Sequence, residues 1–454
     1  MTPRPLIVSL LALAACAGAP AQDPARDGPR VRHVELELPE GSAVPAQGPA
    51  AEAFPQGFPV SLGSGLCYAG RDGEAILLWA ISDRGPNGDG PEFAREGQDP
   101  APTKLFGAPD FTPVVAKLRL EGERATVLEW HAIRGADGAP LSGLPRPAGP
   151  GSTGEVALGE DLNTFPAQAS GIDPEGIDVD AEGNLWICEE YGPDVLQLDP
   201  SGKVLRHLRP GAELPEDVSR RLPNRGFEAV CVTPAGKVIA GVQSVCYDSE
   251  GKRKAAFIRL VELDPSTGAT RTFAYLHDAD AYKRPRDAKL GDLCALNDDE
   301  LLLIEQGKVK GGDRNVIYRV DLRGATDLSG RTREDGSALE GASLEELEAA
   351  GIVPVKKELV VDLRALGWSV EKAEGLAIVD ATTLVVIADH DFGLTTTLLD
   401  PQEGHEEADD YTVVEGALTL DGKPAPETRL RMLPSGETTE LWVVELPQPL
   451  PLKR

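Results

Sequence analysis

Residues Asp173–Asp199 read DPEGIDVDAEGNLWICEEYGPDVLQLD, and the fold is decided by how this stretch divides into strands. Glu175-Gly176 opens a short strand, Ile177 to Val179. Asp180-Ala181-Glu182-Gly183 supplies a turn, because Gly tolerates positive φ and Asp bonds its own backbone. Leu185 to Cys188 is a second strand that stops at an acidic pair, Glu189-Glu190. Asp194 to Leu198 is a third, and Asp199-Pro200-Ser201-Gly202 turns the chain into a fourth, Lys203 to Leu208. Four short strands and tight turns in roughly 35 residues make the unit that a radial propeller repeats.

The unit recurs, and internal repetition settles architecture before any single residue does. The opening Glu175-Gly176-Ile177 returns as Ser64-Gly65-Leu66, Glu228-Ala229-Val230, Gly291-Asp292-Leu293 and Glu374-Gly375-Leu376. Each is followed by a turn and an apolar strand: Ile76 to Ile81, Lys237 to Val242, Glu300 to Ile304 and Thr383 to Ala388. Each second strand stops at a polar residue, namely Asp83, Glu190, Gln243, Glu305 and Asp389. The expected fold is all-β, a single β-propeller of four-stranded blades. Five blades are readable, with room for a sixth in the irregular insertions or assembled from both termini.

These acids have two readings. Glu-Gly at a strand start can simply shape a turn. Radial repetition, however, brings blade-equivalent side chains to one end of an axial channel, where like charges are costly unless a cation neutralises them.

The 454 residues suffice for one large propeller or two ordinary domains. Glycine (49) and proline (38) are as plentiful as a many-turned all-β chain requires. A formal net charge of −29 argues against nucleic acid, which demands basic patches, and favours divalent-cation binding.

Residues 1–22 read as a targeting segment: Arg4 gives a positive start, and Leu6 to Ala15 is apolar but too short to span a bilayer. Leu13-Ala14-Ala15-Cys16 resembles a bacterial lipobox, which makes residues 1–15 a lipoprotein signal peptide and Cys16 the lipidated residue. Ordinary cleavage after Ala19-Pro20-Ala21 is the alternative. Ala17, by resemblance to Gram-negative lipoproteins, points to the outer membrane; the other reading gives a periplasmic or secreted protein. Either way the mature chain is exported. Residues 16–30 form a tether, and 31–454 the propeller domain, with insertions near 134–172 and 402–437.

Of the six cysteines, Cys67, Cys188, Cys231, Cys246 and Cys294 remain after Cys16, an odd number that cannot all pair. Cys67, Cys231 and Cys294 share one place in their blade motifs, as small buried thiols packing inner strands would; spacing leaves a disulfide open. No Cys/His spacing resembles a zinc site.

Elsewhere, Val31 to Leu38 alternates as an outer strand closing the ring with the C-terminus. Ser82 to Gly90 is a glycine-rich loop dense in oxygen ligands. Ser343 to Ala350 is a short helix with a Ser343/Glu346 capping box. Blade five runs from Glu374 to a strand at Thr395 to Leu399, and Thr439 to Leu446 is the final strand.

Seven motifs carry a family resemblance: Ser64-Gly65-Leu66, Ser82-Asp83-Arg84-Gly85, Pro174-Glu175-Gly176, Glu189-Glu190-Tyr191-Gly192-Pro193, Arg225-Gly226-Phe227-Glu228-Ala229, Glu374-Gly375-Leu376 and Asp389-His390-Asp391-Phe392-Gly393. The chain resembles the bacterial "esterase-like activity of phytase" family, propellers related to the alkaline phytases. The resemblance implies a calcium-assisted hydrolase of phosphate esters or related esters. Physically this is consistent: a phosphomonoester carries nearly two negative charges, which bare carboxylates would repel and Ca²⁺ would attract. Ca²⁺ takes six to eight oxygen ligands.

On that basis the candidate ligands are Asp83, Glu175, Glu190, Glu228, Glu305, Glu374 and Asp389. Arg84, Arg225 and Lys308 are candidates for holding phosphate oxygens, the two arginines also as catalytic groups. Both arginines read equally well as structural ion pairs. His390 is the candidate general acid/base, or else a histidine capping a blade loop. No Gly-x-Ser-x-Gly elbow, Walker loop or dinucleotide fingerprint is present. The expected partner is a small-molecule ester or phosphate ester on a monomer whose membrane contact is confined to a lipid anchor. Two other readings stay open: a calcium-dependent lactonase, and a non-catalytic cell-envelope scaffold or ligand-binding protein.

Overall fold

The computed structural model describes residues 28–453. The signal peptide 1–15, the lipidation site Cys16 and most of the 16–30 tether lie outside the described residues. Among the described residues no helix is long and apolar enough to cross a membrane.

Five four-stranded antiparallel blades surround a channel. Blade one is Gly65–Asp72, Ala75–Ile81, Val114–Glu121 and Arg124–Ala132; blade two is Pro174–Val179, Leu185–Glu189, Asp194–Leu198 and Val204–Leu208. Blade three is Phe227–Val232, Val238–Val242, Ile258–Leu263 and Thr270–Tyr275; blade four is Lys289–Ala295, Glu300–Val309, Gly312–Asp321 and Lys356–Asp362. Blade five is Ala373–Ile378, Thr383–Ala388, Glu440–Glu445 and, outermost, Arg30–Glu37.

The two ends of the chain meet in blade five, where Arg30–Glu37 pairs antiparallel with Glu440–Glu445 from Arg30↔Glu445 to Glu35↔Glu440. The two ends of the described chain therefore complete the fifth blade, and the described residues form no sixth. Second strands such as Leu185–Glu189 and Val238–Val242 are buried at every residue, because each blade is covered on both faces by its neighbours. Fourth strands such as Lys356–Asp362 face solvent and are mostly exposed.

The inner strands pack with little room to spare. A Cβ at Gly65 would lie 2.4 Å from the carbonyl oxygen of Glu175 on the next blade. Gly65→Ala is expected to cost about 1–3 kcal/mol, read as a lower denaturant midpoint at unchanged m-value. An unshifted midpoint would contradict this close approach.

Two expectations are corrected. Leu394–Leu399 is not the third strand of blade five; it pairs with Arg429–Pro434 outside the ring. Nor is Ser82 to Gly90 all loop, since Asn87–Ala94 pairs with Ala101–Phe106. That hairpin joins Val156–Leu158 of the 134–172 insertion and Tyr411–Val414, Ala417–Leu420 and Lys423–Pro424 of the 402–437 insertion in a six-stranded side sheet. Insertions far apart in sequence find each other because each has an apolar face that its own blade cannot cover. Leu105, Val156, Tyr411, Val413 and Met432 share one core with the adjoining blades. The helix Leu344–Ala349 forms with both arms of its capping box present. Cys67, Cys188, Cys231 and Cys246 are buried, Cys294 is half-buried, and none of the five is in a disulfide.

Candidate metal centre in the axial channel

An inner strand begins at the channel mouth, and the second strand, antiparallel to it, ends there. Strand starts and second-strand ends from different blades therefore meet at one place. A local irregularity aims the acids. In blades two, three and five the inner strand carries an extra residue opposite its partner: the ladder shifts between Pro174 and Ile177, between Phe227 and Ala229, and between Ala373 and Gly375. Glu175, Glu228 and Glu374 fall within those shifts. A bulge bends the strand and redirects a side chain, here into the channel.

Three carboxylate clusters result, each with ligand atoms within 4.8 Å of one another: Asp173/Glu175/Glu190, Glu175/Glu228/Glu374 and Asp83/Asp389/Asp391. Glu175 belongs to two of them. All line one cavity of about 770 Å³ that Arg84, Arg225, Lys289, Lys308 and Lys372 also line. Of the acids expected as ligands, Asp83, Glu175, Glu190, Glu228, Glu374 and Asp389 are brought together here.

Glu305 is not among them. In the ladder it stands opposite Leu290, as Glu189 stands opposite Pro174. The residue equivalent to Glu190 is therefore Gln306, and a one-residue offset on a strand sends the side chain to the other face. Glu305 is fully buried instead, accepting from Tyr275 Oη (2.6 Å), Tyr282 Oη (3.1 Å) and Lys357 Nζ (2.8 Å). Glu189 has the same kind of role: it accepts from the backbone of Tyr191 (3.1 Å) and Gly192 (2.8 Å) and pairs with Arg146 (3.0 Å).

His390 also points elsewhere. It is buried, its Nδ1 accepts from Gly393 N (2.8 Å), and its Nε2 bonds the Thr439 hydroxyl. That is the loop-capping alternative, and it takes His390 out of the candidate acid/base role. Arg84 is an ion-pair residue: it meets Asp173 (3.4 Å) and Glu155 (3.1 Å) and bonds Tyr191 and Asn224. It ties the 134–172 insertion, which supplies Glu155, to the channel wall. Arg225 has no carboxylate within 4 Å among the described residues; it donates to Arg286 O (2.5 Å) and Ser244 Oγ (3.4 Å). Lys308 lies exposed on the rim, 3.3 Å from Glu371.

Several participants were not singled out from sequence. Asp173, Lys289 and Lys372 each precede the motif start of their blade by two residues, and residues two apart on a strand share a face. That offset was a usable signal, as was Asp391 two residues after Asp389. Gln243, expected as the polar end of its blade's second strand but not as a site residue, also takes part. Its Nε2 donates to Glu190 Oε1 (2.6 Å) and Glu228 Oε2 (2.7 Å), while its Oε1 is buried and accepts no hydrogen bond.

Electrostatically the clusters are under strain. Burial, and then the charges of Glu228, Asp173, Glu190 and Glu374, push the Glu175 carboxyl well above its usual range. Burial followed by Glu374 and Glu190 does the same to Glu228. Glu190 is raised by burial and Asp173 to about 8, and Glu374 by burial, against the pull of Lys372, to about 7. At Asp389 burial raises the carboxyl, but Lys372, His390 and the Asp391 backbone N–H together outweigh it and hold it below the usual range.

A stability consequence follows from the sign of these shifts. Glu190 and Glu374 keep protons in the folded chain that the unfolded chain has already lost, so stability present below about pH 4.5 is lost as pH rises to between 7 and 8. The protein in chelator is expected to melt at progressively lower temperature across that window. Melts in chelator across the pH series test this; a melting temperature that rises with pH would contradict it.

Residues 59–392 match the phytase-like family described as "esterase-like activity of phytase". A protein of Arthroderma benhamiae named "Uncharacterized secreted protein" is 23% identical over 338 residues, 62% of this chain and 65% of that protein, so the chain spans less than two thirds of that relative's length. A solved structure of a protein of unknown function from Dyadobacter fermentans overlays with a TM-score of 0.32 at 11% identity, covering 92% of this chain and 99% of the other. A luciferin-regenerating enzyme overlays at 0.34 and 10% identity, covering 86% and 92%. Overlays this loose carry no functional argument. The family match spans well over half of the sequence, a range that includes every acid of the three clusters: the chain belongs to the phytase-like, esterase-like-activity-of-phytase family.

Proposed function

We propose that this is an exported, calcium-dependent hydrolase of phosphate esters or related small esters, with its ion held in the channel by Asp173, Glu175, Glu190, Glu228 and Glu374. One observation carries the reading: two carboxylate clusters share Glu175, and no Lys or Arg lies within 4 Å of Glu175, Glu190 or Glu228 among the described residues. The donors fit a hard divalent cation, being carboxylate oxygens without thiol or imidazole. The orphaned Oε1 of Gln243 is a further oxygen on the same wall, and a buried carbonyl oxygen without a partner calls for one.

Calcium bound there would neutralise the acids and act as a Lewis acid toward a phosphoryl or acyl oxygen. The chain's own contribution is binding and orientation. Arg225, free of carboxylate partners, offers a guanidinium fork to an anionic group entering the cavity. Among the described residues the Lys289 side chain makes no ion pair or hydrogen bond and presents a second positive charge, and Lys308 stands on the rim. Export is supported by the apolar N-terminal segment and by the secreted relative; attachment through a lipid on Cys16 is part of the proposal.

The test is turnover of p-nitrophenyl phosphate, phytate and a simple lactone by purified protein, with Ca²⁺ and with chelator. Calcium-dependent phosphate release is expected. Lactone opening alone would select the lactonase, and no turnover of any substrate would leave a non-catalytic scaffold.

A further inference from the structure

Of the three carboxylate clusters, one already contains a cation supplied by the chain. Lys372 stands two residues before Glu374, the place where blade two has Asp173 before Glu175. Its Nζ lies 3.0 Å from Asp389 Oδ2, 2.9 Å from Asp391 Oδ1 and 3.8 Å from Glu374 Oε2. The remaining oxygen of Asp389 is taken as well, accepting from Ser61 Oγ (2.9 Å) and Asp391 N (3.1 Å). The other two clusters are built differently: the nearest ammonium or guanidinium contacts are Arg84 with Asp173 at 3.4 Å and Lys372 with Glu374 at 3.8 Å, both at the edge.

We propose that Lys372 is a resident cation that takes the place of a metal ion in the Asp83/Asp389/Asp391 cluster, so that exchangeable ions are confined to the clusters sharing Glu175. This rests on the channel being a divalent-cation site. An ammonium on a four-carbon stem is a compact charge with three donors, and it meets two carboxylates of the cluster directly. A second cation in the same space would be repelled by it and would find Asp389 already saturated. The channel mouth is thus divided: blades two, three and five offer carboxylates to an ion, while at the seam between blades five and one Lys372 permanently occupies the space between Asp389 and Asp391.

The experiment is the number of Ca²⁺ bound per chain, by equilibrium dialysis and titration calorimetry on the full mature protein, for wild type, K372Q, D391N and the double variant. K372Q is expected to bind one more ion than wild type, the double variant to return to the wild-type number, and D391N alone to leave that number unchanged. Equal numbers in wild type and a K372Q that retains its circular dichroism spectrum would overturn the proposal. So would loss of an ion in D391N alone, which also serves as the test if K372Q does not fold, because the Asp391 side chain is about half exposed. Ion binding in K372Q but none in wild type would sink the calcium reading of the channel while sustaining the role of Lys372. No binding in either would end both.

Discussion

If the channel holds calcium as proposed, Glu175→Gln is expected to weaken its binding and, with it, any calcium-dependent ester hydrolysis, while raising the stability of the metal-free protein. Both effects come from one cause. Glu175 is common to two carboxylate clusters and accepts no hydrogen bond from the described residues, so none of them pairs directly with its charge. Removing it takes one formal charge from each cluster. Calcium sites weaken over several decades as ligand charge is withdrawn, so a loss on the order of a hundredfold in affinity is the expected scale. In chelator the same change relieves repulsion among buried acids, and the melting temperature should rise by roughly 2 °C for each kcal/mol recovered. Titration calorimetry reads the first effect and a melt in chelator the second. A variant that binds calcium like wild type would remove Glu175 from the site, and a metal-free variant that melts lower would refute the strain. The trade of stability for a working site is common where acids are gathered for a ligand.

The opposite result is expected at Glu305, and the contrast separates two acids that look alike in sequence. Glu305→Ala should destabilise the fold by about 3–5 kcal/mol, the scale for removing one partner of a buried charged pair. Tyr275 and Tyr282 would lose the acceptor of their hydroxyls, and the Lys357 ammonium, seated over the rings of Tyr275 and Tyr318, would keep Asp278 as its one carboxylate partner among the described residues. Calcium affinity should not change, because Glu305 lies outside the channel clusters. Denaturant titration and calorimetry on the same variant decide the matter: a stable variant with lost calcium binding would reverse the assignment of Glu305.

That pair of acids marks how far sequence reading reaches. The five repeats, the blade starts and the closing strand at Arg30–Glu37 were legible because each depends on local patterning. Turn residues sit at fixed offsets, second strands are continuously apolar, and a lone alternating strand at one terminus needs a partner from the other. The grouping of acids at one end of the channel was legible for the same reason, since antiparallel neighbours start and stop together.

What local pattern does not carry is the face a side chain takes. Glu305 and Gln306 are equally plausible strand ends until the ladder opposite Leu290 is known, and a slip of one residue exchanges channel for interior. His390 resembled an acid/base between two aspartates until the turn at Gly393 claimed its Nδ1. The side sheet, assembled from segments more than 300 residues apart, had no local signature at all.

Sequence alone thus determined the propeller, its closure and the acidic character of its mouth, because those follow from periodicity and turn chemistry within a few residues. Only the tertiary structure decided which acids converge, which are consumed by tyrosines, arginines or Lys372, and which wall is left positive. Those outcomes depend on bulges and ladder registers between strands, and on contacts between blades that no single stretch contains.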